Sequence, residues 1–466
     1  MKRLCIYPVF CVILLSLFVS QVCMGQKYAG TWKGKLDVGQ PLHLQFFIQA
    51  GDHGSLSGTM LSPDQSSEKI PLSKVEAFQD SIVILVDEIG GVYRGKLIHD
   101  DSLQGTWFQS DMSLTLNLKK RPELKKATSK LSDPAGGPTE RIDSTINEEM
   151  DNQGIAGLSL GIIKNGKLFL CKGYGLADVK NSVPVSCHTV FKIGSLSKQF
   201  VATCIMALSE QGKLNLSDPV SRYFPDAPET WKNITIGNLL DHTSGLEREP
   251  PTFEWMKRQQ DSVLIKAAYP DKLLFKTGTK WQYSNLGYFI LADIIRKTSG
   301  QTFEDYMNHF FASVGMTQST TTTKSSGPDK AKGYNTYDKA TGEYNEAKDF
   351  IALRPSGAFS CSMTDLIKWD SIQRLSNILT RQDWQKMRED TVLAGASTQG
   401  VNTYYGYGWF VRPYKKHGLV YHGGNTLGFT SDYWTWVDDG LSIIILTNGN
   451  EINTDRIVKE IRKVVK

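Results

Sequence analysis

Ser195 and Lys198 stand three residues apart in FKIGSLSKQF, Phe191 to Phe200, directly ahead of an apolar run. A serine hydroxyl is a weak nucleophile until a neighbouring base activates it. A lysine can be that base, or can stabilise one, when its pKa is displaced. The apolar positions Phe200, Val201, Cys204, Ile205 and Leu208 follow a helical period, and Gly212 is a natural stop. The spacing therefore predicts a helix that carries Ser195 and Lys198 on one face at its N-terminus. Free N–H groups and the positive end of the helix dipole favour a developing oxyanion there. Ser-x-x-Lys also occurs by chance, and alone it fits an N-terminal serine beside a solvated lysine.

Two further polar clusters follow in order. WQYSNLGYFIL contains Tyr283, Ser284 and Asn285, and VYHGGNTLGF contains His422, Gly423, Gly424 and Asn425. With these three ordered motifs, residues 139–466 resemble the β-lactamase-related serine enzymes. The branch is that of class C β-lactamases, DD-peptidases, D-amino acid peptidases and esterases. LLDHTSGL from Leu239, GAFSCSMTDLIKW from Gly357, YGYGWFV from Tyr405 and IIILTNGN from Ile443 support the resemblance.

The resemblance implies roles. Ser195 attacks a carbonyl and forms an acyl-enzyme, with Lys198 and Tyr283 as its catalytic partners. The backbone N–H groups of Ser195 and Asn425 hold the oxyanion. Asn285 binds the substrate amide or supports Lys198. Gly423 and Gly424 let substrate backbone approach their strand. A neutral Lys198 could take the proton, or its charge could lower the Tyr283 pKa if desolvation is modest. The two would titrate as one coupled unit. No cofactor or metal is called for.

Two look-alikes are set aside. Lys276-Thr277-Gly278 is a literal Lys-Thr-Gly, but it precedes Tyr283 in a turn-rich stretch. GLSLG around Ser159 matches the nucleophile-elbow pattern, yet it lies in a strand leading into a hairpin. His242 reads as structural. β-Lactamases of this family usually carry lysine where His422 stands, so a mostly neutral histidine weakens carboxylate binding and favours the peptidase and esterase members. The expected substrate is a small molecule or peptide of cell-wall origin: a D-amino acid peptide, a peptidoglycan fragment, a small ester or a β-lactam. The rival reading is a penicillin-binding sensor or scaffold that is acylated without turnover. Glu247–Leu274 reads as a lid or pocket wall.

The elements that must position these residues form an α+β block. The hairpin AGLSLGIIKNGKLFLCKGYG turns at Asn165-Gly166 in type I′ geometry. Strands return in GLVYHGG, FTSDYWTWV and LSIIILTN, and a last helix closes the chain. Strands at both ends of the block predict one antiparallel sheet flanked by helices, with a helical subdomain beside it. Residues 26–120 read as a small all-β, barrel-like domain. Gly-Thr-aromatic recurs at Gly30 and Gly105, as in a meander whose first and last strands meet. It resembles the lipocalin-like modules of exported bacterial hydrolases. Residues 121–138 read as a linker.

Residues 1–25 read as a secretory signal: Lys2 and Arg3, an apolar run too short to span a membrane, and a small residue before Gln26. The protein is therefore expected in the periplasm or secreted, without a membrane span and without lipid on Cys23. The formal charge is +5, and Lys2 and Arg3 supply two of those charges. That is too little to point to nucleic acid. Cys171, Cys187, Cys204 and Cys361 follow the signal and are expected as buried free thiols.

Overall fold

The computed structural model of the protein describes residues 27–37, 41–51, 54–62, 69–109, 112–120, 137–254, 256–257, 259–321, 329–338, 341–349, 354–357, 359–375, 378–389, 391–396 and 401–465. The expected signal at 1–25 and nearly all of the expected linker lie outside the described residues. Two compact units are present: Met1–Lys130 with Tyr337–Tyr344, and Leu131–Thr336 with Asn345–Lys466.

In the first unit, seven successively paired antiparallel strands run from Gly30–Asp37 to Ser102–Gln109, with the short Ile70–Pro71 strand paired off this path. The short Leu118–Lys120 strand pairs with both Ser102–Gln109 and Gly30–Asp37. This closes an eight-strand ring and removes the open edge a meander would expose. The recurring motif puts Trp32 and Trp107 inside, packed with Phe46 and Tyr93, so the barrel interior is a side-chain core.

In the second unit, one nine-stranded antiparallel sheet draws on both ends of the block. Its central pairings set Gly157–Lys164 beside Leu441–Thr447, then Phe429–Trp436, then Leu419–Thr426. Alternation sorts the sheet faces. Leu158, Leu160, Ile162, Ile443 and Ile445 pack against the helices Pro138–Gln153 and Thr454–Val465. Ile163, Ile444 and Leu446 pack with the other helices, including Ser197–Glu210 and Asn285–Ser299. Asn165 and Gly166 both have positive φ, as a type I′ turn requires. Ser159 is buried in the Gly157–Lys164 strand, and Lys276–Gly278 lies in a turn, so neither look-alike offers a site.

The expectation of four free thiols needs correction. Cys171 and Cys187 form a disulfide with Cα atoms 6.0 Å apart, while Cys204 and Cys361 are free and buried. Wide spacing hid the pair, because the chain reverses after Lys167–Asp178 and Val183–Pro184 pairs back onto that strand, which returns Cys187 to Cys171.

Candidate active site

Ser195 sits on a 3-10 turn, Gly194–Leu196, that leads into the α-helix Ser197–Glu210. Gly194 has φ +51, and a Cβ there would lie 2.6 Å from Asn425 N. Ser431 Oγ donates to Ile193 O at 2.8 Å, and Ser197 Oγ donates to Gly194 O at 2.6 Å. The nucleophile turn is thus clamped from the sheet and from its own helix.

Gly424 packs against the nucleophile turn. Its missing Cβ leaves room for the nucleophile turn: that atom would stand 2.1 Å from Ile193 O and 2.9 Å from Ser195 N. Gly423 faces Asp432, whose Oδ1 would be 3.0 Å from a Cβ. Both glycines therefore leave room for protein atoms on their side-chain side. Asn425, next along the strand, is exposed.

Lys198 is 0 % exposed. Its Nζ lies within hydrogen-bond distance of three oxygens: Ser195 Oγ at 3.3 Å, Asn285 Oδ1 at 2.7 Å and Ser356 O at 2.6 Å. Nζ lies 4.7 Å from the Tyr283 ring centroid. Burial drives the Lys198 pKa well below its usual value; Glu249 opposes this and Arg248 adds to it.

The Tyr283 hydroxyl is buried without a hydrogen-bond partner among the described residues, and the Ser195 side chain is near enough to favour its ionised form. Burial outweighs that contact and pushes the phenol pKa up, with Arg248 pulling it down. The condition of modest desolvation for a tyrosinate is therefore not met. Burial thus moves the two groups in opposite directions, the phenol pKa up and the amine pKa down.

His422 is 2 % exposed. Its Nδ1–H donates to Gly423 O at 2.6 Å, which leaves Nε2 to accept from the Tyr405 hydroxyl at 3.1 Å. Burial, then the Lys198 charge, lower its pKa to about 3. The ring is neutral and already bonded at both nitrogens. His242 packs its ring 4.4 Å from that of Tyr283, centroid to centroid, and accepts from Ser284 N at 3.2 Å.

The motif residues thus converge, and two residues that the motifs do not reveal join them. The start of the expected lid segment is bonded to the Tyr283 motif at successive residues. Ser284 Oγ donates to Glu247 O at 2.7 Å, Asn285 N donates to Arg248 O at 2.7 Å, and Asn285 Nδ2 donates to Glu249 Oε1 at 2.5 Å. The Arg248 side chain is 63 % exposed and places its guanidinium 5.2 Å from the Tyr283 ring centroid. Their signal in the sequence was only a charged Glu-Arg-Glu run after HTSGL.

Comparison with known proteins gives the family. Residues 142–464 match the family described as Beta-lactamase. The putative penicillin-binding protein PbpX of Bacillus subtilis is 32% identical over 352 residues, covering 72% of this chain and 81% of that protein. Protein flp of Staphylococcus aureus strain MW2 is 27% identical over 332 residues, 69% of this chain and 65% of that protein. Among solved structures, the octameric penicillin-binding protein homologue from Pyrococcus abyssi superposes with a TM-score of 0.59 at 26% identity, covering 66% of this chain and 73% of that one. The D-alanine carboxypeptidase AmpC from Burkholderia cenocepacia shares the fold, with a TM-score of 0.58 at 20% identity over 70% of this chain and 98% of that one. Among the described residues no helix is long and apolar enough to cross a membrane. The chain belongs to the β-lactamase family of serine acyl-transfer proteins.

Proposed function

We propose that this protein is an exported serine hydrolase that cleaves an amide or ester through an acyl-enzyme on Ser195. The observation that carries the proposal is the buried Lys198 amine bonded to both Ser195 Oγ and Asn285 Oδ1, with the Tyr283 ring beside it. Neutral Lys198 takes the Ser195 proton as Oγ attacks the carbonyl carbon. The oxyanion is held by the N–H groups of Ser195 and Asn425. The bond to the leaving group then breaks, and Tyr283 gives that group its proton and regains one from Lys198. Water attacks the acyl-Ser195 ester in the second half-reaction and releases the acid.

His422 supplies no charge, whereas Arg248, exposed beside the Tyr283 ring and 3.9 Å from Glu249, is a cation placed to meet an anionic substrate group. A carboxylate-bearing D-amino acid peptide or a β-lactam fits that arrangement, and the penicillin-binding name of the 32%-identical relative supports the same class. That name also keeps open the second reading, acylation by a penicillin without turnover.

The test is mass spectrometry after mixing with a penicillin and, separately, p-nitrophenyl acetate. A transient adduct on Ser195 with released product is the expected result. A persistent adduct without release selects the second reading. Full turnover by folded Ser195→Ala overturns the assignment.

A further inference from the structure

Glu249 lies outside every family motif named above, yet it is bonded into the machinery. A side-chain amide presents one acceptor and two donors, so an asparagine can be flipped unless both ends are fixed. In Asn285 both ends are used: Oδ1 faces Lys198 Nζ at 2.7 Å, and Nδ2 donates to Glu249 Oε1 at 2.5 Å. Glu249 therefore selects the orientation of Asn285 that offers an acceptor, not a donor, to the lysine. The carboxylate is itself mostly shielded, its side chain being 21% exposed. It is carried by a segment whose backbone is tied to the same helix start by Arg248 O, which accepts from both Asn285 N and Leu286 N.

We infer that Glu249 is a positioning residue for acyl transfer, acting on Lys198 through Asn285. This rests on the reading of Ser195 and Lys198 as nucleophile and base. The carboxylate does two separable things. It orients the amide, and it puts a negative charge within reach of a buried amine. The other groups facing that amine are the Arg248 guanidinium, the neutral rings of His242 and His422, and the phenols of Tyr283 and Tyr288. Glu249 alone in that set opposes deprotonation of Lys198; burial and Arg248 favour it.

Glu249→Gln keeps an oxygen acceptor for Asn285 and removes the charge, whereas Glu249→Ala removes both. Acylation is followed across pH by the pre-steady-state burst with an activated ester. The acid limb of the Glu249→Gln profile is expected to move to lower pH by about half a pH unit or more, because the buried ammonium loses its counter-charge. Glu249→Ala is expected to show the same displacement and a plateau about tenfold lower, as for loss of a hydrogen bond to a charged group. Recovery of part of that plateau in Glu249→Gln identifies the orienting bond. Displacement of the alkaline limb instead makes the ammonium form of Lys198 the active one and overturns the reading of Lys198 as base on which the proposal rests. Superimposed profiles for all three proteins overturn the proposal.

An NMR titration of carbon-13-labelled lysine, assigned with Lys198→Ala, reads the amine without turnover. A Lys198 pKa unchanged by Glu249→Gln overturns the electrostatic half. If instead wild type is never acylated at Ser195, the hydrolase reading falls while the titration still decides the coupling.

Discussion

Gly424→Ala tests whether the nucleophile turn is seated against the sheet as described. The added Cβ would stand 2.1 Å from Ile193 O, 2.6 Å from Ser431 Oγ and 2.9 Å from Ser195 N. The serine hydroxyl can rotate, but the other two atoms are backbone. At Gly424 the Leu419–Thr426 strand is paired through Gly424 and Ser431 to Phe429–Trp436, so relieving the clash moves the Ile193–Ser195 turn and this strand apart. Restoring an ordinary contact needs a displacement of about 1 Å, and an error of that size in a reacting group costs roughly 100-fold in rate. Overpacking of this kind lowers stability by about 1–3 kcal/mol. Gly423→Ala is the matched control, because its Cβ would meet a single tight neighbour, Asp432 Oδ1 at 3.0 Å, with the next atom 3.7 Å away. The assay is the time course of Ser195 acylation by mass spectrometry, with thermal unfolding of each variant. Gly424→Ala is expected to be acylated about 100-fold more slowly and Gly423→Ala only a few-fold more slowly. Wild-type acylation and unchanged melting in Gly424→Ala would refute the packing argument.

Two further outcomes follow from the charges around the cleft. Arg248→Gln should raise KM about tenfold for substrates bearing a carboxylate, the scale of a charge-assisted hydrogen bond, and leave KM for a neutral ester unchanged. Equal effects on both substrates would remove Arg248 from anion recognition. The folded-state pKa of His422 is lowered from 6.5 to about 3, so below pH 6.5 the unfolded chain binds more protons than the native one. Its stabilising contribution is complete above pH 6.5 and is lost as pH falls, by up to about 1.4 kcal/mol per pH unit within that window. Urea unfolding of wild type and His422→Gln at about pH 7 and pH 5 checks this. The variant should lose less stability on acidification, and parallel losses would contradict a buried neutral ring.

The sequence by itself determined the local features. Apolar period and terminal glycine placed Ser195 and Lys198 on one helix mouth, because three residues along a helix is less than one turn. Asn165-Gly166 specified its hairpin, since both positions need positive φ. The order of the motifs named the family. Only the tertiary structure decided what depends on neighbours distant in the chain. Burial displaces the pKa values of both Lys198 and Tyr283, and no spacing encodes that desolvation. The neutrality of His422, the disulfide between Cys171 and Cys187 and the bond from Asn285 to Glu249 all arise from segments that meet in space. Covalent neighbours dictate local geometry, whereas pKa values and partners are set by everything that packs around a side chain once water has been excluded.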